Sequence, residues 1–233
     1  MKLTPRFRGP SLVFVATAYV LVTAAGLVAG ALLRHGASWV TPFAPAEQLR
    51  AFFAQSPMAA RVSNFFLFGS AVPFGIFAVT LISRLRFMGV RAAGTNIALF
   101  GGLSAAIALF LSGAAGWILS IPEVVDSAPL VKAVAFFNFL CGGVFYAVGF
   151  GLLAAGVSVT AYFMRFLPRW IVVLGMILAV TGEASSLSLI AYPANFFIPI
   201  TRFAGFLWML LVAIALTKRG AAKPMLSTET AAS

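Results

Sequence analysis

Residues 94–120 read GTNIALFGGLSAAIALFLSGAAGWILS, a run without one charged side chain. The hydrocarbon core of a bilayer is about 30 Å thick, and a helix needs about 20 consecutive apolar residues to cross it. Lipid offers the backbone no hydrogen-bond partners, so a stretch of this length and apolarity must satisfy its own polar groups as a helix. The alternating pattern of a membrane β-strand is absent. Working outward, comparable runs occupy 11–33, 64–83, 134–163, 170–191 and 196–217.

Six such runs predict an all-α polytopic membrane protein: one six-helix transmembrane domain over 1–220 and a short, disordered cytoplasmic tail over 221–233. Composition agrees. Hydrophobic residues make up 62% of the chain and charged residues 9%, against about 25% charged in soluble domains. The first run follows basic residues as a signal peptide would, but it is about twice as long as a typical signal-peptide core and reads as an anchor.

The net charge of +11 is distributed by connection. Lys2, Arg6 and Arg8 precede the first span, Arg84, Arg86 and Arg91 fill the second connection, Arg165 and Arg169 the fourth, and Lys218, Arg219 and Lys223 follow the last. The other connections carry Arg34, Arg50, Arg61 and Lys132, diluted by Glu47, Glu123 and Asp126. Lysine and arginine accumulate on the cytoplasmic side of membrane proteins, so this alternation predicts both termini inside. A nucleic-acid partner is excluded, because the charge lies along one membrane face rather than on a folded domain.

The connection at 34–63 is the one long loop. Within it Leu49, Phe52 and Phe53 share one face of a helix that begins near Ala46 and ends at Ser56-Pro57, which predicts a short amphipathic helix at the outer surface. It is either a packed helix that closes the bundle or a lid over an outward-facing cavity. Pro73 predicts a kink or loosening in the second span. Gly26 and Gly30, then Gly101, Ala105 and Gly113, then Gly142, Gly149 and Gly156 mark faces where helices approach closely.

Much chemistry is missing. His35 is the only histidine and lies outside the spans, Cys141 is the only cysteine, and Asp126 is the only aspartate. Haem with two histidine ligands, a two-histidine zinc site, a disulfide and a paired aspartyl site cannot be built. No phosphate-binding glycine loop or dinucleotide fingerprint is present. Neither a metal nor a cofactor is expected.

What remains is a polar layer. Counted inward from the outer ends at about 1.5 Å per residue, Ser70, Ser112, Asn138, Glu183 and Arg202 fall in the outer half of the membrane. Glu183 and Arg202 flank the break Tyr192-Pro193-Ala194-Asn195, which predicts that they meet as an ion pair across the last hairpin. Ionisable groups inside transmembrane segments are rare and are functional or paired by default. Glu183, Arg202, Ser186 and Asn138 are therefore the candidate ligand-binding residues. The same groups also serve as interhelical hydrogen-bonding contacts in a bundle with no ligand.

From Ala59-Ala60-Arg61 onward, with the basic connection after the second span, Phe166-Leu167-Pro168-Arg169-Trp170 at the fifth span and Phe206-Leu207-Trp208-Met209-Leu210-Leu211 running into Lys218-Arg219-Gly220, the chain resembles a bacterial family of six-span integral membrane proteins catalogued as domain of unknown function 4386. The resemblance implies six spans and the bacterial cytoplasmic (inner) membrane. It supplies no activity and no catalytic motif.

Three function classes stand at this point. One is a small-ligand-binding or transport-type bundle with an outward-facing polar layer, whose ligand is a small molecule or a lipid. Another is a structural or regulatory membrane subunit without chemistry of its own. The third, a membrane enzyme acting on a lipid or apolar substrate through Glu183, ranks last, since a carboxylate paired to arginine is held ionised and donates protons poorly. The expected partner of such spans is the lipid bilayer; a protein partner or homo-oligomer is left open.

Overall fold

A computed structural model describes Phe7 and residues 9–219, the side chain of Arg219 excepted. Lys2, Arg6, Arg8, Lys223 and the tail at 221–233 lie outside the described residues. Within them the helices are α1 (Leu12–Leu33), α2 (Ala46–Gln55), α3 (Pro57–Phe87), α4 (Ala93–Ile118), α5 (Pro122–Val125), α6 (Ala128–Phe139), α7 (Tyr146–Met164), α8 (Arg169–Ala184) and α9 (Phe197–Arg219). A π-helical turn, Leu140–Phe145, fuses α6 and α7 into one span, and 3-10 turns at Ser185–Leu189 and Tyr192–Phe196 lead from α8 to α9. No strand occurs among the described residues.

Six helical segments are long and apolar enough to cross a membrane: Leu12–Leu33, Pro57–Phe87, Ala93–Ile118, Ala128–Met164, Arg169–Leu189 and Tyr192–Lys218. Their outward faces carry large exposed apolar side chains such as Phe14, Phe65, Phe100, Phe163 and Val180, a surface that water would not tolerate over such an area. The second span is longer than its apolar run, because α3 begins at Pro57, with proline at the first turn where its missing N–H costs nothing. The helix continues through Pro73, whose missing N–H deprives the Gly69 carbonyl of its donor.

The helices form a ring in which α1 packs on α3, α3 on α4, α4 on α7, α7 on α8, α8 on α9, and α9 back on α1. Glycine sets how closely α4 and α7 approach. A Cβ on Gly101 would lie 2.6 Å from the Gly149 carbonyl oxygen, and one on Gly149 would lie 2.8 Å from the Ala105 nitrogen. The seven-residue recurrence of Gly142, Gly149 and Gly156 is thus the face of that span turned to α4.

The ring encloses an aromatic core. Tyr19, Phe74, Tyr146, Phe150 and Trp208 are all fully buried, with ring centroids 5.0 Å apart for Tyr19–Phe74, 5.8 Å for Phe74–Tyr146 and 5.9 Å for Phe150–Trp208. Each pair contributes about 0.5–1.5 kcal/mol beyond its buried area. Trp208, in mid-span rather than at an interface, packs here and donates its indole N–H to the Ile171 carbonyl of α8 at 3.2 Å.

The amphipathic helix α2 caps one end. Leu49, Phe52 and Phe53 are buried with Leu119, Val125, Val131 and Ala135. The loop before it is pinned: Lys132 Nζ donates to the Ala44 carbonyl at 2.9 Å, and Phe43 meets Phe136, Phe139 and Tyr192 edge-on at 5.2, 5.4 and 4.8 Å.

Candidate functional site

Arg202 projects from α9 toward the π-helical turn. In that turn the backbone N–H of Tyr146 bonds the carbonyls of Cys141 and Gly143 and passes over Gly142. Inserting a residue into a helix turn disturbs the regular hydrogen-bond ladder, which is why such turns recur at functional sites. The Arg202 guanidinium donates through Nη2 to the Gly142 carbonyl. The same guanidinium sits over the Tyr146 ring, 4.6 Å from its centroid. Beyond the ring, the Tyr146 and Tyr19 hydroxyls share a hydrogen bond of 2.7 Å, linking α7 to α1 in a fully buried setting.

These contacts account for a cation without a carboxylate. An arginine in mid-membrane costs about 2.5–3.5 kcal/mol on insertion scales. A hydrogen bond to a charged group returns about 1.5–3 kcal/mol, and a desolvated cation–π contact about 2 kcal/mol. These two contacts offset the cost of the charge without a counter-anion, before the cost of an unsatisfied Nε is counted. One loose end remains: Arg202 Nε is buried without a hydrogen-bond partner.

Asn138 belongs to the adjoining part of the same layer. Its Nδ2 donates to the Ser112 carbonyl at 2.8 Å while Ser112 Oγ donates to the Asn138 carbonyl at 3.2 Å, a reciprocal tie between α6 and α4. Any Cβ on Gly142 would collide with Ser112 Oγ, and one on Gly116 would collide with the Asn64 and Asn138 carboxamides. Glycine thus admits polar side chains from α3, α4 and α6 to a common level. Together with Arg202, Tyr146 and Tyr19 they make a polar layer across the bundle.

Glu183 and Ser186 are not part of it. Glu183 is exposed, and its carboxylate forms no ion pair with Arg202 and no hydrogen bond among the described residues. Ser186 Oγ turns back to the Glu183 carbonyl at 2.6 Å. The residues that do meet across the last hairpin are Thr181 and Thr201, with Thr201 Oγ1 3.1 Å from Thr181 Oγ1. Two residues along an α-helix is a rotation of about 200°, so when Thr181 faces α9, Glu183 faces away. Gly182 is packed against Gly151 of α7, which fixes that rotation. The expected Glu183–Arg202 pair is therefore corrected: with Thr181 beside Thr201, Glu183 lies nearer the hairpin than Arg202 and on the side turned away from α9.

Tyr19, Tyr146 and the Gly142 carbonyl are absent from the sequence-derived set. A signal for the tyrosines exists: of the chain's four, Tyr162 and Tyr192 lie near span ends, whereas Tyr19 and Tyr146 lie well inside theirs, away from the interfaces that tyrosine favours. Among the described residues, no group of three or more His, Cys, Asp or Glu side chains could hold a metal ion. No family model matches the chain, and neither a curated protein nor a solved structure matches it.

Proposed function

We propose that this chain is a multi-pass protein of the bacterial cytoplasmic membrane, with both termini inside, belonging to the six-span family it resembles. It acts as a structural or regulatory membrane subunit whose polar layer locks the helices together. The observation that carries this reading is the closure of the layer on itself: Arg202 is met by the Gly142 carbonyl and the Tyr146 ring, and Tyr146 by a buried Tyr19. Tyr19, Phe74, Tyr146, Phe150 and Trp208 fill the interior of the bundle beside that layer.

The alternating basic connections support the orientation. The small-ligand reading keeps one observation in its favour, the buried unpartnered Arg202 Nε, which a bound polar group would satisfy. Nothing in the geometry favours the enzyme reading, because Glu183 is exposed and its carboxylate forms no hydrogen bond among the described residues.

A mutant cycle tests the lock. Tyr146→Leu removes the ring and strands the Arg202 charge, whereas Tyr146→Leu with Arg202→Met removes both partners. Stranding a buried charge costs more than deleting the pair. The double mutant should therefore be more stable in detergent than Tyr146→Leu alone, with a coupling of about 2 kcal/mol. Simple additivity of the two single changes would overturn the reading.

A further inference from the structure

The geometry points to a phospholipid site in the groove between α3 and α4, with the lipid phosphate on Arg61 and one acyl chain along the groove. The groove has a volume of about 690 Å³, within the range of about 300–1,000 Å³ typical of small-ligand sites. Val62, Phe65 and Phe68 of α3 form one wall, and Ala114 and Trp117 of α4 line the other. Phe65, Phe68 and Trp117 are exposed to the surroundings of the bundle, so the groove opens sideways, toward lipid, rather than into the core.

Its polarity is graded in the direction a phospholipid requires. Arg61 lies four residues inside the start of α3, about 6 Å along the helix axis, and Ser120 lies just past the end of α4. Arg61 Nε donates to Ser120 Oγ at 3.3 Å and Nη2 to the Ser120 carbonyl at 3.5 Å. That contact anchors one edge of the guanidinium and leaves the Nη1–Nη2 edge open at headgroup depth. A planar fork of this kind suits a phosphate. From Arg61 the walls run inward to Phe68 over about 10 Å with only apolar side chains beyond Asn64. Gly113 allows the helices to touch at the floor, where a Cβ would lie 2.7 Å from the Phe68 nitrogen. Charge at the rim, an aromatic belt residue beside it and a hydrocarbon slot below match an anionic amphiphile, and in a bilayer the abundant one is a phospholipid.

The inference rests on the reading of the chain as membrane-spanning, so insertion is scored first, by retention of the full chain in membranes washed with alkaline carbonate. Release would overturn both readings. For an inserted chain, the purified and delipidated protein in detergent is titrated with dioleoyl phosphatidylglycerol, with dioleoylglycerol, which lacks the phosphate, and with inorganic phosphate, and occupancy is read by native mass spectrometry. The wild type should take one phosphatidylglycerol ahead of any others and should not lose it to inorganic phosphate. Arg61→Gln should weaken that first binding about tenfold without changing dioleoylglycerol, Arg61→Lys should restore most of it, and Ala114→Trp, filling the slot, should weaken both lipids. A featureless ladder of bound lipids that is identical in the wild type, Arg61→Gln and Ala114→Trp, or displacement by inorganic phosphate alone, overturns the inference while leaving the membrane reading intact.

Discussion

The hydroxyls of Tyr19 and Tyr146 lie 2.7 Å apart in the middle of the bundle, where neither side chain reaches solvent. The bond joins the first helix to the central span and aligns the Tyr146 ring beneath the Arg202 guanidinium. One phenol cannot be removed without orphaning the other, and an unsatisfied buried hydroxyl costs its full desolvation.

Tyr19→Phe and Tyr146→Phe should therefore each destabilise the protein by about 1–3 kcal/mol, whereas the double change, which replaces both hydroxyls with hydrogen, should cost less than either sum implies. Thermal unfolding in a mild detergent measures all four proteins. A double mutant that loses as much as the two singles added together would show that the hydroxyls do not depend on each other.

Glu183→Gln should leave stability unchanged or raise it, because it removes an unpaired charge from a membrane-capable span. Its carboxylate is exposed and forms no ion pair with Arg202. The same unfolding assay decides it. A large loss would mean that Glu183 meets a partner in the membrane that the isolated chain does not show.

The contrast between Glu183 and Thr181 marks how far sequence carries. Span number and approximate limits follow from apolar length alone, and α2 follows from the spacing of Leu49, Phe52 and Phe53. The close α4–α7 face follows from glycines at a seven-residue interval. Depth along a helix is also legible, since it needs only a rise per residue. Rotation about the helix axis is not, because it is set by which face a neighbour covers, here the contact of Gly182 with Gly151. The π-helical turn at Leu140–Phe145 is likewise a product of packing: nothing in Leu-Cys-Gly-Gly-Val-Phe demands it, yet it presents the carbonyl on which Arg202 rests.

Phe43→Ala should loosen the cap without unfolding the bundle. Phe43 makes three edge-on ring contacts that hold the loop to α6 and to the turn before α9, each worth about 0.5–1.5 kcal/mol. Hydrogen exchange should accelerate over 37–55 and stay unchanged in α4 and α7, since local opening depends on local contacts. Unaltered exchange in the loop would show that Lys132 and the buried face of α2 hold it without the ring.

Orientation is tested by single reactive cysteines at the two ends of the bundle. Cys141 is buried, so it contributes little background to labelling with a membrane-impermeant maleimide. Gln48 is exposed on α2, and Ala93 is exposed at the start of α4, near Arg86 and Arg91. Gly89 is a poorer choice for the second end because its backbone φ of +85° strains any side chain. α3 runs from the α2 end of the bundle to the Arg86 end, so the two positions lie on opposite sides of any membrane the helix crosses. In the proposed orientation the basic residues of that second connection face the cytoplasm. Gln48→Cys should therefore label in intact cells, and Ala93→Cys only after permeabilisation. The reverse pattern would turn the protein over in the membrane and move the Arg61 groove to the cytoplasmic leaflet. Labelling of both positions in intact cells would mean that α3 does not cross.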